Sequence, residues 1–158
     1  MDELFFRPAS AADGAVLRAF LHLAIFVPPG APAPPHDVVD RPALARYVTG
    51  WGRPGDTGVL CADATHVLGA AWCRRFAADE PGYGYVDAAT PELAMAVRTE
   101  HRGRGIGTAL LERLMAAAGP ALSLSVDRDN PAARLYARMG FRIVGSAGRG
   151  VTMLRTGR

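Results

Sequence analysis

Residues 92–118 read ELAMAVRTEHRGRGIGTALLERLMAAA, and they carry the clearest structural pattern in the chain. Its first six residues form a short apolar run, which predicts a strand. Its last part, residues 105–118, carries apolar side chains at positions 106, 110, 114, 115 and 118, a spacing that predicts an amphipathic helix. A further apolar run occupies residues 122–126. The sequence therefore predicts a strand, a helix and a second strand parallel to the first.

The turn between this strand and this helix has the features of an anion-binding site. Its glycines let the backbone approach a ligand closely, and the first amides of a helix favour a phosphate. Arg102 and Arg104 add charge that can contact the same anion. A glycine-rich turn can also be only a tight turn, and it is the position between strand and helix that favours anion binding.

Two common nucleotide-binding motifs do not fit. The chain contains no lysine, which a P-loop requires after its glycines. A dinucleotide-binding turn needs a third glycine where Thr108 stands. The pattern that is left is Arg102-x-x-Gly105-x-Gly107.

The rest of the chain predicts a mixed sheet with helices on both faces. Helices are expected at residues 10–26, at residues 40–48 with Asp40 as cap, and at residues 131–139 with Asn130 as cap. Strands are expected at residues 58–62, 67–76, 141–146 and 150–154, and the first two should pair antiparallel. Residues 77–90 read as a loop or short strand. We expect one α/β domain over residues 1–158, with a mostly antiparallel sheet and one parallel pair.

Composition narrows the class of protein. All 18 basic residues are arginine, the formal net charge is +3, and no apolar run is long enough to cross a membrane. The chain opens with acidic residues, so we expect a cytoplasmic protein without a membrane or nucleic-acid partner. Cys61 and Cys73 are predicted to be buried free thiols, and no cluster of ligands predicts a metal site.

A second motif lies at 130–141 and reads Asn130-Pro-Ala-Ala-Arg-Leu135-Tyr136-Ala-Arg-Met-Gly140-Phe141. Together with the glycine-rich turn, it resembles the acetyl-CoA site of the GNAT acetyltransferases. The resemblance is close over about residues 90–155, and the order of elements before it agrees more loosely. It implies the GNAT fold, acetyl-CoA as cofactor, and transfer of acetyl to a primary amine by direct attack in a ternary complex.

The resemblance also implies roles for individual residues. The strand before the turn offers its backbone to the pantetheine arm, through Met95, Ala96 and Val97. The two parallel strands diverge where the thioester lies, and Tyr136 protonates the departing thiolate. The pyrophosphate binds to the turn, whose residues are Arg102, Gly103, Arg104, Gly105, Ile106, Gly107 and Thr108.

Two candidate residues have competing interpretations. Asn130 precedes Tyr136 by six residues where many relatives have seven, so it is either a cofactor contact or only a helix cap. Residues 122–125 lack the glutamate that some members carry there. Glu92 is then the candidate base, acting through ordered water, or else a strand-end carboxylate in solvent.

The sequence does not identify the amine that accepts the acetyl group. The first half of the chain carries aromatic residues that either line an acceptor pocket or pack in the core, namely Tyr47, Trp51, Trp72, Tyr83 and Tyr85. The proline-rich residues 27–35 form a wall of that pocket or a stiff connector. A small-molecule or peptide amine fits, and a homodimer is possible. The alternative function is a non-catalytic module that binds or senses acyl-CoA.

Overall fold

A computed structural model describes residues 3–157. Its strands are β1 (Phe5–Pro8), β2 (Thr57–Ala62), β3 (Val67–Arg74), β4 (Glu92–Val97), β5 (Leu122–Asp127), β6 (Arg142–Ala147) and β7 (Gly150–Arg155). Its α-helices are α1 (Gly14–Ala24), α2 (Pro42–Ala45), α3 (Ile106–Ala118) and α4 (Ala132–Arg138). Short 3-10 segments occupy Ala11–Asp13, His36–Asp40 and Thr99–His101.

The seven strands form one mixed sheet in the order β1-β2-β3-β4-β5-β7-β6. Only β4 and β5 pair parallel, and the other neighbours are antiparallel. This arrangement confirms the predicted mixed sheet with one parallel pair joined through α3.

Apolar residues fill both faces of the sheet, which confirms helices on both sides. On one face α3 buries Leu110, Leu111 and Leu114 against β2, β3 and β4. On the other, α1 buries Leu17 and Phe20 together with the ring of Trp72. Cys61 and Cys73 are buried free thiols within this core, as predicted.

Strand β1 has no counterpart in the sequence prediction. It is four residues long, and its side chains are exposed or half-buried, so it lacks the alternation that marks a strand. It pairs only with β2, at the edge of the sheet, where a proline such as Pro8 costs no ladder hydrogen bond. Backbone pairing, rather than burial of a face, makes this segment a strand.

The second predicted helix is too long. The structure has a 3-10 segment up to Asp40, an extended Arg41, and only four residues of α-helix from Pro42. A residue before proline is pushed out of the helical region, which separates the two pieces. The Asp40 carboxylate also does not cap α2, because it binds Arg18 with 2.6 Å between Oδ1 and Nη2.

The parallel pair β4–β5 diverges along its length. The paired positions are confined to Glu92 opposite Ser123, where the Ser123 amide donates to the Pro91 carbonyl over 3.0 Å. Beyond that point, Leu93–Val97 has no partner in β5, although β4 stays paired with β3 along its whole length. The two strands therefore enclose a gap that opens toward the glycine-rich turn, which we call the β4–β5 gap.

Candidate active site

The glycine-rich turn delivers free amides to the start of α3. Gly103 and Gly105 adopt φ of +78° and +82°, in the left-handed region that favours glycine. Within the described residues, the amides of Ile106, Gly107 and Thr108 have no backbone acceptor, and the first helical bond here runs from Ala109 to Gly105 over 3.1 Å. Three amides at the positive end of a 13-residue helix form a candidate anion site, as the sequence predicts.

The arginines of the turn differ in position. Arg102 folds back, and its Nε donates to the Val97 carbonyl over 3.1 Å. Arg104 is exposed beside the free amides. A bound polyphosphate at this turn can therefore recruit the side chain of Arg104 without breaking an existing contact.

Strand β4 presents alternate backbone groups to the β4–β5 gap. The Arg98 amide bonds the Leu68 carbonyl over 2.8 Å, so alternation along an antiparallel ladder turns the groups of Ala96 toward β3. The groups of Met95 and Val97 then face the gap. The predicted backbone contact with a cofactor thus fits Met95 and Val97, but Ala96 can contribute only its side chain.

The two sequence motifs meet in space. A Cβ atom added to Gly107 would lie 3.3 Å from the Leu135 side chain and 3.7 Å from Met95. Helix α4, the start of α3 and strand β4 thus converge at one end of the gap. Any side chain at position 107 would have to displace Leu135, which explains the third glycine of the turn.

Tyr136 lies on α4, beside the residues just described. Its ring is buried and packs edge-on against Phe141, with 5.8 Å between the ring centroids. Burial raises the pKa of its hydroxyl, and no described residue hydrogen bonds to it. The group therefore keeps its proton at neutral pH and has its hydrogen-bonding capacity available for a ligand.

Asn130 acts as the predicted cap. Its side-chain oxygen accepts a hydrogen bond from the Ala132 amide over 2.9 Å, and its backbone carbonyl accepts one from Ala133 over 3.0 Å. Both contacts satisfy amides in the first turn of α4. The capping interpretation is confirmed, while the cofactor contact stays a prediction.

Glu92 lies at the closed end of the β4–β5 gap and is 2% exposed. This burial excludes the interpretation of Glu92 as a strand-end carboxylate in solvent. The Tyr47 hydroxyl donates a short hydrogen bond to Glu92 Oε2, and the Gly84 amide donates a second one to the same atom over 3.0 Å. The other oxygen, Oε1, has no hydrogen-bond partner among the described residues.

The surroundings of Glu92 set its pKa near the working range of a base. Burial raises the pKa, while the hydrogen bonds from Tyr47 and Gly84 oppose the rise, and the result is about 7. Arg74, its cross-strand partner, does not offset this, because its guanidinium pairs with Asp56 at 2.6 Å. A carboxyl group with a pKa near neutrality can both accept and release a proton.

A glycine-containing segment of residues 81–85, which we call the strap, covers Glu92. A Cβ atom on Gly82 would overlap Glu92 Oε1 and lie 2.7 Å from the Tyr47 hydroxyl oxygen. A Cβ atom on Gly84 would lie 2.6 Å from the Leu124 carbonyl oxygen in β5. The strap therefore fits between β4 and β5 only because both positions lack side chains.

Tyr47 is a candidate functional residue to which sequence reasoning assigned no role. The Tyr83 amide donates to its hydroxyl oxygen over 2.8 Å, so Tyr47 links the strap to Glu92. The sequence placed Tyr47 only among candidate pocket or core aromatics. No local sequence pattern links Tyr47 to Glu92, since the two residues are 45 positions apart.

The remaining aromatics are mostly structural. The Trp72 indole donates to the Tyr47 carbonyl over 3.1 Å, the Trp51 indole donates to the Ser10 carbonyl over 3.0 Å, and both rings are buried. Tyr83 is 62% exposed on the strap, and Tyr85 is half-buried against the α1 side of the core. Tyr83 is thus the aromatic side chain of this set that is available to a ligand.

A separate cavity of about 550 Å³ lies behind Tyr47. Its lining includes Arg46, Arg53, Arg75 and Phe76, but no residue of β4 or β5. Phe76 packs edge-on against Tyr47, with 5.1 Å between the centroids. The cavity is therefore distinct from the β4–β5 gap, where the predicted thioester would lie.

No group of three or more potential metal ligands occurs in the described part of the chain. None of the helices among residues 3–157 is long and apolar enough to span a membrane.

Comparison with known families and structures identifies the class. The family model for the acetyltransferase (GNAT) domain matches residues 55–143, which span β2 to the start of β6. A protein of Pyrococcus horikoshii aligns over 99% of both chains with a TM-score of 0.70 and 18% identity. A putative acetyltransferase from Salmonella typhimurium, solved with its cofactor acetyl-CoA, aligns over 98% of this chain and 93% of its own, with a TM-score of 0.66 and 20% identity.

This chain belongs to the GNAT acetyltransferase domain family. Among individual proteins, it is 39% identical over 71 residues to mycothiol acetyltransferase from Acidothermus cellulolyticus. That match covers 40% of this chain and 22% of the relative, so the chain spans about a fifth of the length of that protein.

Proposed function

We propose that this chain is an acetyl-CoA-dependent N-acetyltransferase that acetylates a primary amine by direct attack within a ternary complex. The observation that carries the proposal is the β4–β5 gap itself, with free helix amides at its open end and a buried carboxylate at its closed end. A cytoplasmic location and a one-domain organisation, both predicted from the sequence, belong to the same proposal.

The residues present fit acetyl-CoA. The pyrophosphate would lie on the amides of Ile106, Gly107 and Thr108, with Arg104 beside them. The pantetheine arm would bond the backbone groups of Met95 and the amide of Val97, as an added strand does at a sheet edge, while the Val97 carbonyl accepts from Arg102. Bound acetyl-CoA supplies an activated thioester, and the chain supplies its orientation.

The acceptor amine has to lose its protons, and Glu92 is the proposed acceptor of one of them. An ammonium ion gives a proton, through water, to Glu92, and the free amine nitrogen then attacks the thioester carbonyl carbon. The carbon–sulfur bond breaks, and Tyr136 gives its proton to the thiolate and regains one from the new amide nitrogen. Glu92 later releases its proton to solvent, so the sum is an amide, a thiol and one proton.

The properties of Glu92 favour catalysis over simple binding of acyl-CoA. A carboxylate buried at the closed end of the gap costs stability, and a module that only binds coenzyme A has no use for it. The partial match with mycothiol acetyltransferase supports an acetyltransferase activity for this segment.

The test is a screen of amines with detection of free thiol. Purified protein is mixed with acetyl-CoA and, in turn, with amino acids, polyamines, aminoglycosides, amino sugars and peptides with free N-termini. Thiol release that depends on one class of amine, with an acetylated product in the mass spectrum, supports the proposal. Tight binding of acetyl-CoA without amine-dependent release for any class would favour the non-catalytic module.

A further inference from the structure

Two buried polar side-chain atoms lack a hydrogen-bond partner in the described part of the chain, and they belong to paired residues. They are Oε1 of Glu92 and Oγ of Ser123. Buried polar groups in folded proteins are nearly always satisfied, so each unsatisfied atom requires an explanation. Here one explanation can account for both atoms, because Glu92 and Ser123 are opposite each other in β4 and β5.

Both side chains project from the same face of the sheet. Leu122 and Leu124 on β5 and Leu93 on β4 belong to the core on the α3 side. The alternation of a strand therefore turns Ser123 and Glu92 to the opposite face, where Tyr47 and the strap lie. Ser123 is fully buried there, with no exposed surface.

The placement of the two residues allows one molecule to bond both side chains. Neighbouring strands lie about 4.8 Å apart, so the paired Glu92 and Ser123 start from adjacent positions and can each reach one intervening water. The Ser123 hydroxyl can donate and accept, and a carboxylate oxygen can accept. A water between them would satisfy both atoms at the closed end of the β4–β5 gap.

We propose that Ser123 is a positioning residue for the candidate base: its hydroxyl holds a water that hydrogen bonds to Oε1 of Glu92 and links this carboxylate to the β4–β5 gap. The catalytic part of this inference rests on the proposed function, whereas the hydrogen bond itself does not. Tyr47 and the Gly84 amide donate to Oε2 of Glu92, so Oε1, against which Gly82 packs, is the oxygen left to accept a hydrogen bond from a water.

Among residues 3–157, no charged side chain hydrogen bonds to Glu92 or forms an ion pair with it. From the turn after α2 and from the strap, Glu92 receives hydrogen bonds from the neutral Tyr47 and from the Gly84 amide. From β3, its cross-strand partner Arg74 is committed to Asp56. From β5, the facing side chains are the serines 123 and 125.

The test is the pKa of Glu92 in the ligand-free protein, measured by carbon NMR of the side-chain carboxyl groups. Ser123→Ala removes the hydroxyl that anchors the water, so the charged form of Glu92 loses a hydrogen bond and its pKa should rise by about one unit. The apparent pKa of the acid limb in the pH profile of kcat/KM should rise by the same amount. Ser123→Thr, which keeps the hydroxyl, should restore both values.

Ser125→Ala is the matched control. Ser125 lies two residues along the same face of β5 but is exposed, so this change should leave the pKa of Glu92 where it is in the unmodified protein. A pKa that moves equally in both variants would overturn the proposal. So would a Ser123→Ala protein with an unchanged Glu92 pKa and a higher melting temperature, the result expected for removing an idle buried hydroxyl.

The two proposals fail differently. If no amine supports thiol release but Ser123→Ala still raises the Glu92 pKa, the positioning contact stands and the acetyltransferase proposal fails. If amines support thiol release but Ser123→Ala leaves the Glu92 pKa unchanged, the acetyltransferase proposal stands and the positioning role of Ser123 fails.

Discussion

At the scale of single residues, Glu92 combines three properties that seldom occur together. It is buried, it keeps one oxygen without a protein partner, and its pKa is about 7. Tyr47 and the strap amide hold the other oxygen, so the side chain has one fixed orientation. A carboxylate fixed in this way can take a proton repeatedly without moving.

Replacing the carboxylate tests this role directly. Glu92→Gln keeps the shape and an oxygen for Tyr47 but cannot accept a proton, so turnover near pH 7 should fall by roughly 10²–10⁴-fold. The loss should shrink toward pH 9.5, where more of the acceptor amine is already deprotonated. The same factor of loss at every pH from 6 to 9.5 would remove Glu92 from the proton path.

Tyr47→Phe examines the support of the base rather than the base itself. The change removes a hydrogen bond to the charged form of Glu92, so the pKa of Glu92 should rise above 7 and the acid limb of kcat/KM should move with it. Affinity for acetyl-CoA should be unaltered. An unchanged pH profile together with lower stability would assign Tyr47 to packing alone.

Tyr136→Phe separates proton donation from packing. The buried ring and its contact with Phe141 are retained, and no described residue loses a hydrogen bond. Turnover should fall at least tenfold, equivalent to about 1.4 kcal/mol of barrier, while the melting temperature barely moves. Turnover retained within about twofold would exclude the hydroxyl as the proton donor.

At the scale of secondary-structure elements, the glycine-rich turn joins β4 to α3 and requires particular backbone angles. Gly105 caps α3 with φ of +82°, and nothing lies within 4 Å of the place where a Cβ atom would be. A β-branched residue at this angle must therefore rotate the backbone instead of meeting a neighbour. That rotation turns the free amides away from a ligand.

Gly105→Val should abolish most of the stabilisation that acetyl-CoA gives. At 100 times its dissociation constant, the cofactor should stabilise the unmodified protein by about 2.7 kcal/mol, as measured by thermal shift. Gly55→Val is the matched control, because Gly55 also has a positive φ and empty space around it but lies in the turn before β2. It should destabilise the protein and keep the shift. An equal shift in both variants would contradict the assignment.

The sequence predicted the elements whose pattern is local. The apolar strand, the glycine-rich turn and the amphipathic helix each carry their own periodicity, so β4, α3 and β5 appear within a residue or two of their expected bounds. β1 was not predicted because it is defined by pairing with β2, whose paired residues lie 51 to 57 positions further along the chain, and not by its own sequence pattern. α2 was overestimated because the effect of Pro42 on Arg41 outweighed the apolar spacing.

The candidate site also contains parts that the sequence predicts from local motifs and parts that depend on contacts between distant residues. Residues of the turn and the capping role of Asn130 follow from short motifs. The contacts that define Glu92, namely Tyr47, the strap and Ser123, join residues separated by 45, 8 and 31 positions. Only the folded sheet brings them together, so composition and spacing could predict the carboxylate but not its environment.

At the scale of the whole molecule, two buried carboxyl groups affect stability in opposite directions. The Arg7 guanidinium bonds Asp13 through two contacts of 2.9 and 3.0 Å, and with the Ser10 amide it lowers the Asp13 pKa to about 2. This contact ties β1 to the segment before α1. Its stabilisation is complete above the ordinary pKa of 3.8 and is lost as the pH falls toward 2.

Glu92 acts at the other end of the pH range. Its pKa rises from 4.5 in the unfolded chain to about 7 in the folded protein, so the native state binds more protons between these values. Stability therefore decreases as the pH rises through this window, by up to roughly 3 kcal/mol. The free energy of unfolding should be greatest near pH 4.5, where Asp13 is charged and Glu92 is still neutral.

Urea denaturation of the ligand-free protein from pH 3 to 8 measures both effects. Glu92→Gln should flatten the decrease between pH 5 and 8 and become more stable than the unmodified protein at pH 8, because no charge has to be buried. Asp13→Asn should leave the decrease in the free energy of unfolding between pH 5 and 8 unchanged. It should remove part of the decrease in this free energy below pH 4. A Glu92→Gln protein that loses stability as steeply as the original above pH 5 would mean that Glu92 is already charged in the native state at pH 5. In that case, the proton-accepting group with a pKa near 7 would have to be sought elsewhere in the β4–β5 gap.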